Sequence, residues 1–212
     1  IDADGDVYYL KNIVVTQTTA DGHVTTWYDQ AGINNATADC SNPSACEQPL
    51  IVEAGDVLLD NNKPAIKFDG VDDYFTGAAK TTMNNTAIFA VIKSDSNTQD
   101  AVFIQNTLDT SNCVALGLGN LGTSNAIGSR LRVAGVNVDS VGDSTFTATD
   151  QTLVSYLADN PAGQMFVDGK EEHDAVNSRS GGSDQNLSTT GNGTTELDGE
   201  IHKIIIYTRH KF

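Results

Sequence analysis

The sequence is poor in positive charge. Only 12 of its 212 residues are lysine or arginine, against 28 acidic residues, so the net charge is −16. Phosphate-rich partners would be repelled, which excludes nucleic acid and anionic membranes unless a local basic patch exists. None does: the four arginines are scattered, and Arg209-His210-Lys211 is too short to form one. Long apolar runs are absent too. No stretch approaches the ~20 residues that span a bilayer as a helix, so no membrane insertion is expected. The four histidines stand apart, which leaves no metal-type His pair, and no Gly-x-Ser-x-Gly occurs. "GLGNLG" at 117–122 mimics a phosphate loop, but no helix signal follows it.

Glutamate is scarce as well. Six of the 28 acids are Glu and 22 are Asp. Short carboxylates suit tight turns and hard cations held by loops, whereas acidic helices favour Glu. With 19 glycines and abundant Asn, Thr and Ser, the composition is that of many short strands joined by polar turns. Cysteines number three. Cys40 and Cys46 flank "CSNPSAC", a loop that can turn back on itself, and a disulfide there implies an oxidising compartment. Cys113 has apolar neighbours and reads as a buried thiol. The spacing of the three does not make a zinc site.

Strand patterns recur along the whole chain. Residues 7–15, 23–29, 63–70, 73–78, 101–106, 113–120, 130–139 and 199–209 read as strands, and 86–95 is apolar enough to be buried on both faces. Residues 151–172 form the clearest hairpin, with turns at 159–163 and at Asp168-Gly169. A short helix has a weak signal at 78–85. Residues 177–195 carry almost no apolar side chains and read as a long surface loop pinned by Leu187. About a dozen strands with no internal repeat predict one all-β domain over 1–212, a two-sheet antiparallel sandwich.

Candidate sites compete with plainer readings. In the loop "WYDQAGINN", strand alternation turns Trp27 inward and Tyr28 to solvent. Asp29 can fix the turn by accepting backbone N–H groups, or it can contact a ligand. Glu171, Glu172, His173 and Asp174 follow a turn and read as a solvated connection. Asp2, Asp4 and Asp6 have the spacing of half an EF-hand loop, but Val7 stands at the required glycine and Ile13 at the bidentate glutamate.

Four stretches in order resemble the concanavalin A-like, laminin-G-like jelly rolls: Trp27-Tyr28-Asp29-Gln30, "KPAIKFDGVDDYF" (63–75), "MFVDGK" (165–170) and "LDGEIHKIIIYTR" (197–209). The resemblance implies two curved sheets packed face to face, carbohydrate binding on or beside one of them, and a structural calcium. It places 63–75 beside 197–209. Asp69, the Gly70 carbonyl, Asp72 and Asp73 could then join Glu196, Asp198 or Glu200 around the ion, with Asp69, Gly70, Asp73 and Asp198 as the favoured set. Turn chemistry with solvent-facing acids is an equal alternative. The Trp-Tyr-Asp-Gln loop also resembles the arabinofuranosidase β-sandwich, whose nucleophilic glutamate falls on Val114 here; valine cannot attack an anomeric carbon.

The expectation is therefore a secreted or cell-surface module excised from a larger protein. It would be calcium-stabilised and non-catalytic, and it would bind a glycan through Tyr28, Asp29, Asn34 and Asn35. The alternatives are a glycoside hydrolase or polysaccharide lyase, and an adhesin domain that binds a cell-surface protein. A hydrolase needs two carboxylates about 5–10 Å apart, and few glutamates fall in predicted strands.

Overall fold

In the computed structural model the described residues are 20–30, 35–38, 48–77, 86–95, 101–109, 112–118, 126–133, 136–145, 147–159, 162–177, 186–188 and 197–208. Among them are nineteen strands and no helix. In chain order these begin with β1 (Gly22–His23), β2 (Thr26–Trp27), β3 (Ala36–Thr37), β4 (Leu50–Glu53), β5 (Asp56–Val57), β6 (Leu59–Asp60) and β7 (Lys63–Pro64). Then follow β8 (Ile66–Asp69), β9 (Thr76–Gly77), β10 (Thr86–Ser94), β11 (Ala101–Asp109), β12 (Asn112–Leu118) and β13 (Ala126–Val133). The last are β14 (Val136–Thr145), β15 (Thr152–Asp159), β16 (Ala162–Val167), β17 (Lys170–Asn177), β18 (Asn186–Ser188) and β19 (Asp198–Thr208).

Two large antiparallel sheets form the sandwich. The nine-stranded sheet runs β1-β4-β8-β19-β10-β15-β16-β17, with β5 beside β4. The eight-stranded sheet runs β14-β13-β12-β11-β18-β9-β3-β2. A small hairpin, β6-β7, stands apart from both, and its turn residues Asn61 and Asn62 take left-handed φ of 47° and 59°. Asparagine tolerates that region because its short amide bonds locally.

Alternation along the central strands sets the core. On β10, Ile88, Ala90 and Ile92 point inward at 1% exposure, while Phe89, Val91 and Lys93 are half-buried on the outer face. The apolar run 86–95 is thus not equally buried on both sides: one face meets the second sheet and the other is partly open to water. Partner strands supply Val154, Tyr156, Met165 and Ile201, and Leu116 and Ile127 come from the opposite sheet. At one end Phe75 sits edge-on to both Phe68 and Trp27, with ring centroids 5.9 Å and 6.0 Å away. Trp27 is the inward anchor its strand position implied.

Several strand readings change in detail. Residues 23–29 do not form one strand: His23 pairs with Leu50 in the nine-stranded sheet and Trp27 with Ala36 in the other, so the chain crosses between layers at 24–25. Residues 130–139 are the two arms of a hairpin, Val133 opposite Val136. Residues 186–188, placed in the expected loop, pair with both β11 and β9. Glu172 is not solvated; it is buried in β17 with its carboxylate 3.2 Å from the Lys170 ammonium. The hairpin turn at Asp168-Gly169 is as read, with φ of 51° and 79°, and the Asp168 carboxylate accepts the Leu153 N–H at 2.9 Å. Residues 7–15 and 78–85, Asp2, Asp4, Asp6 and the Cys40–Cys46 pairing lie outside the described residues.

Candidate functional sites

The turn after β2 places Tyr28 at the surface, 64% exposed, immediately after the core anchor Trp27. Its neighbours hold the turn. Asn35 accepts the Asp29 N–H on its side-chain oxygen at 3.0 Å, and the Gln30 amide donates to the Tyr28 carbonyl at 3.1 Å. Asp29 itself is half-buried and engaged in the turn. Asn35 thus fixes the loop through its side-chain oxygen. Asn34 lies outside the described residues.

The second site is the seam between β8 and β19. Their register sets Asp198 opposite Asp69 and Gly199 opposite Phe68, the adjacency the resemblance implied. Beyond β8 the chain folds over its own carboxylates. Asp69 accepts the N–H groups of Val71 and Asp72 at 2.8 Å and 3.2 Å, and Asp73 accepts the Asp69 N–H at 2.9 Å. These are turn bonds. The same bonds gather one carboxylate oxygen each from Asp69, Asp72 and Asp73 within 4.8 Å of one another. Asp73 is buried, and burial, then the Asp69 charge, pushes its carboxyl up to about 6.

Asp198 sits opposite Asp69 in the register and is not among the three carboxylates gathered within 4.8 Å. Its carboxyl is also raised, by burial and then by Asp95 and Asp69, so it adds to the negative potential of the seam without joining the trio. The Asp198 carbonyl is committed elsewhere, accepting the Asp95 N–H at 2.9 Å. Glu200 belongs to a different cluster, described below. Glu196 lies outside the described residues.

The fold has known counterparts. One is a SAP-like pentraxin from Limulus polyphemus, with TM-score 0.55 and 10% identity, covering 73% of this chain and 80% of that one. Another is Trypanosoma rangeli sialidase in complex with sialic acid, with TM-score 0.58 and 11% identity, covering 92% of this chain. The chain spans only 30% of the sialidase's length. The carbohydrate-binding module CBM66 from Bacillus subtilis aligns at TM-score 0.48 and 11% identity over 68% of this chain and 85% of that one. No protein-family profile matches the sequence, and no curated protein sequence matches it. What the chain shares with the first two is the fold: an all-β, two-sheet antiparallel sandwich.

A third cluster holds Glu200, which the sequence offered as a ligand elsewhere, with partners that the sequence did not single out. The Asp60 side chain of the β6-β7 hairpin reaches residues of β10 and β19. Asp60 of the hairpin lies 3.8 Å from the Lys93 ammonium, 3.3 Å from His202 Nε2 and 2.9 Å from the Gln151 amide. Glu200 lies 3.3 Å from Lys93 and 3.8 Å from His202 Nε2. Burial alone would lower the Lys93 pKa, but the charges of Glu200, then Asp60 and Asp95, outweigh it and hold it above its usual value. A register shift in β19 after Ile201 helps place His202 in this group. Glu200 and His202 are two apart on β19, but no local spacing links them to Asp60 and Lys93.

Proposed function

We propose that the chain is a carbohydrate-binding or adhesion module acting outside the cell, stabilised by calcium, on a sandwich of the concanavalin A-like, laminin-G type. The observation that carries this reading is Tyr28. A mostly exposed aromatic ring on a turn pinned by Asn35 is a platform on which a sugar ring can stack. Asp29, Gln30 and Asn35 supply polar groups around it, and Asn34 is proposed to join them. A net charge of −16 favours neutral or cationic glycans over sulfated ones.

Calcium is proposed for Asp69, Asp72 and Asp73, with the Gly70 carbonyl as a further oxygen and Asp198 contributing charge from β19. Calcium takes six to eight oxygens, and all the donors here are oxygen. The test is a glycan array run with calcium and with EDTA, on the wild type and on Tyr28→Ala. Binding that disappears in the variant supports the reading. The absence of binding to any glycan in either buffer refutes it.

A hydrolytic reading has one observation behind it. Asp60 and Glu200 bring carboxylate oxygens within 4.8 Å of each other, a spacing near that of a retaining glycosidase pair. Against it, the Lys93 ammonium bridges the two. Release of reducing sugar from a polysaccharide panel, lost in Glu200→Gln, would favour the enzyme.

A further inference from the structure

We propose that Asp60, Glu200 and His202 form a second cation site, separate from the Asp69–Asp73 loop, that takes a borderline divalent transition metal of the zinc type. The spacing is the first argument. His202 Nε2 lies 3.3 Å from the Asp60 oxygen and 3.8 Å from the Glu200 oxygen. An imidazole N–H bonded to a carboxylate sits closer, at about 2.7–2.9 Å. Ligands held tetrahedrally at ~2.0–2.1 Å from zinc lie about 3.3–3.4 Å from one another.

Burial of the imidazole is the second argument. The Gln151 amide nitrogen donates to Asp60 at 2.9 Å and lies 3.3 Å from His202 Nε2. The His202 side chain is only 7% exposed, and its Nδ1 is buried without a partner. A metal on Nε2 would take the tautomer with the proton on Nδ1, and it would join this buried ring to the two carboxylates.

The donor set selects the metal. One imidazole nitrogen with two carboxylates suits zinc and its neighbours, whereas calcium prefers oxygen alone. Lys93 is the resident competitor: its single charge bridges both carboxylates, and a divalent ion must push it aside. Removing that charge should strengthen metal binding.

The test is isothermal titration of ZnCl2, and separately of CaCl2, into EDTA-treated and dialysed protein. Cobalt(II) absorption in the visible region reports nitrogen ligation. The expected results are one zinc per chain at this site, affinity at least ten-fold higher in Lys93→Met, and affinity at least ten-fold lower in His202→Gln and in Glu200→Gln. Asp73→Asn should leave zinc binding unchanged. Thermal melting monitored by Trp27 fluorescence identifies any variant that is unfolded, and the two ligand variants are independent of each other. Zinc affinity equal to wild type in folded His202→Gln or Glu200→Gln would overturn the proposal. So would the absence of zinc binding in both wild type and Lys93→Met.

Discussion

Replacing Asp73 by Asn should stabilise the metal-free protein near neutral pH, and the gain should fade on acidification. Asp73 titrates at about 6 in the folded chain against an ordinary 3.8, because it is buried and faces Asp69. The folded state therefore holds this proton more tightly than the unfolded one. Stability from this group is fully present below about pH 4 and is lost as pH rises through about 6. The whole shift corresponds to about 3 kcal/mol. Between pH 5 and 7.5 the loss is about 1.4 kcal/mol by the same relation, and screening by water at the neighbouring exposed carboxylates brings it nearer ~1 kcal/mol. Asparagine keeps the oxygen that accepts the Asp69 N–H but has no charge to lose. The assay is urea unfolding in EDTA at pH 5 and pH 7.5, followed by Trp27, which packs against the neighbouring Phe75. The readout is the wild-type loss minus the variant loss, so that groups titrating in both cancel. Calcium at saturating concentration should reverse the order at pH 7.5, because Asp73→Asn gives up a ligand charge. Equal pH dependence in the two proteins would refute the argument that this carboxyl is strained.

Phe68→Ala removes a fully buried ring that packs on Phe75 and should cost about 3–5 kcal/mol, read as a lower urea midpoint. Gly199→Ala should destabilise by about 1–3 kcal/mol or more, since an added Cβ would lie 2.2 Å from the Lys93 carbonyl oxygen at a residue with φ of 151°; melting temperature checks it. Tyr28→Ala should leave the melting curve within about 0.5 kcal/mol of wild type, because its ring is mostly in water, so that lost glycan binding would report the surface rather than the fold.

The sequence made some of this plain and hid the rest for physical reasons. Long strands announce themselves: 86–94 and 198–208 carry apolar residues over nine and eleven positions, and they are neighbours at the centre of a sheet. The Asp168-Gly169 turn is legible because its left-handed φ values demand those residue types. The meeting of Asp69 with Asp198 was implied by the family resemblance and is seen in the register. Two-residue strands such as Gly22–His23 and Thr26–Trp27 carry no period, so the layer change between them could not be read. Glu172 looked solvated because a glutamate beside a turn usually is. Its burial depends on a strand edge packing against the opposite sheet, where its Cβ lies 3.2 Å from the position a Cβ on Gly142 would take. The Asp60, Lys93, Glu200 and His202 group needs three separate strands to converge, and no single window of sequence contains that information.

The position of β19 has a consequence for how the chain assembles. It lies between β8 and β10, which have no direct pairing in the sheet, and makes the bonds that join them. Synthesis proceeds from the other end, so both strands emerge from the ribosome with an open edge facing a gap. Closure of that sheet is a late, long-range event, and a nascent chain stalled before residue 198 would present two sticky borders at once. A synthetic peptide spanning 198–208 should compete for the gap during refolding.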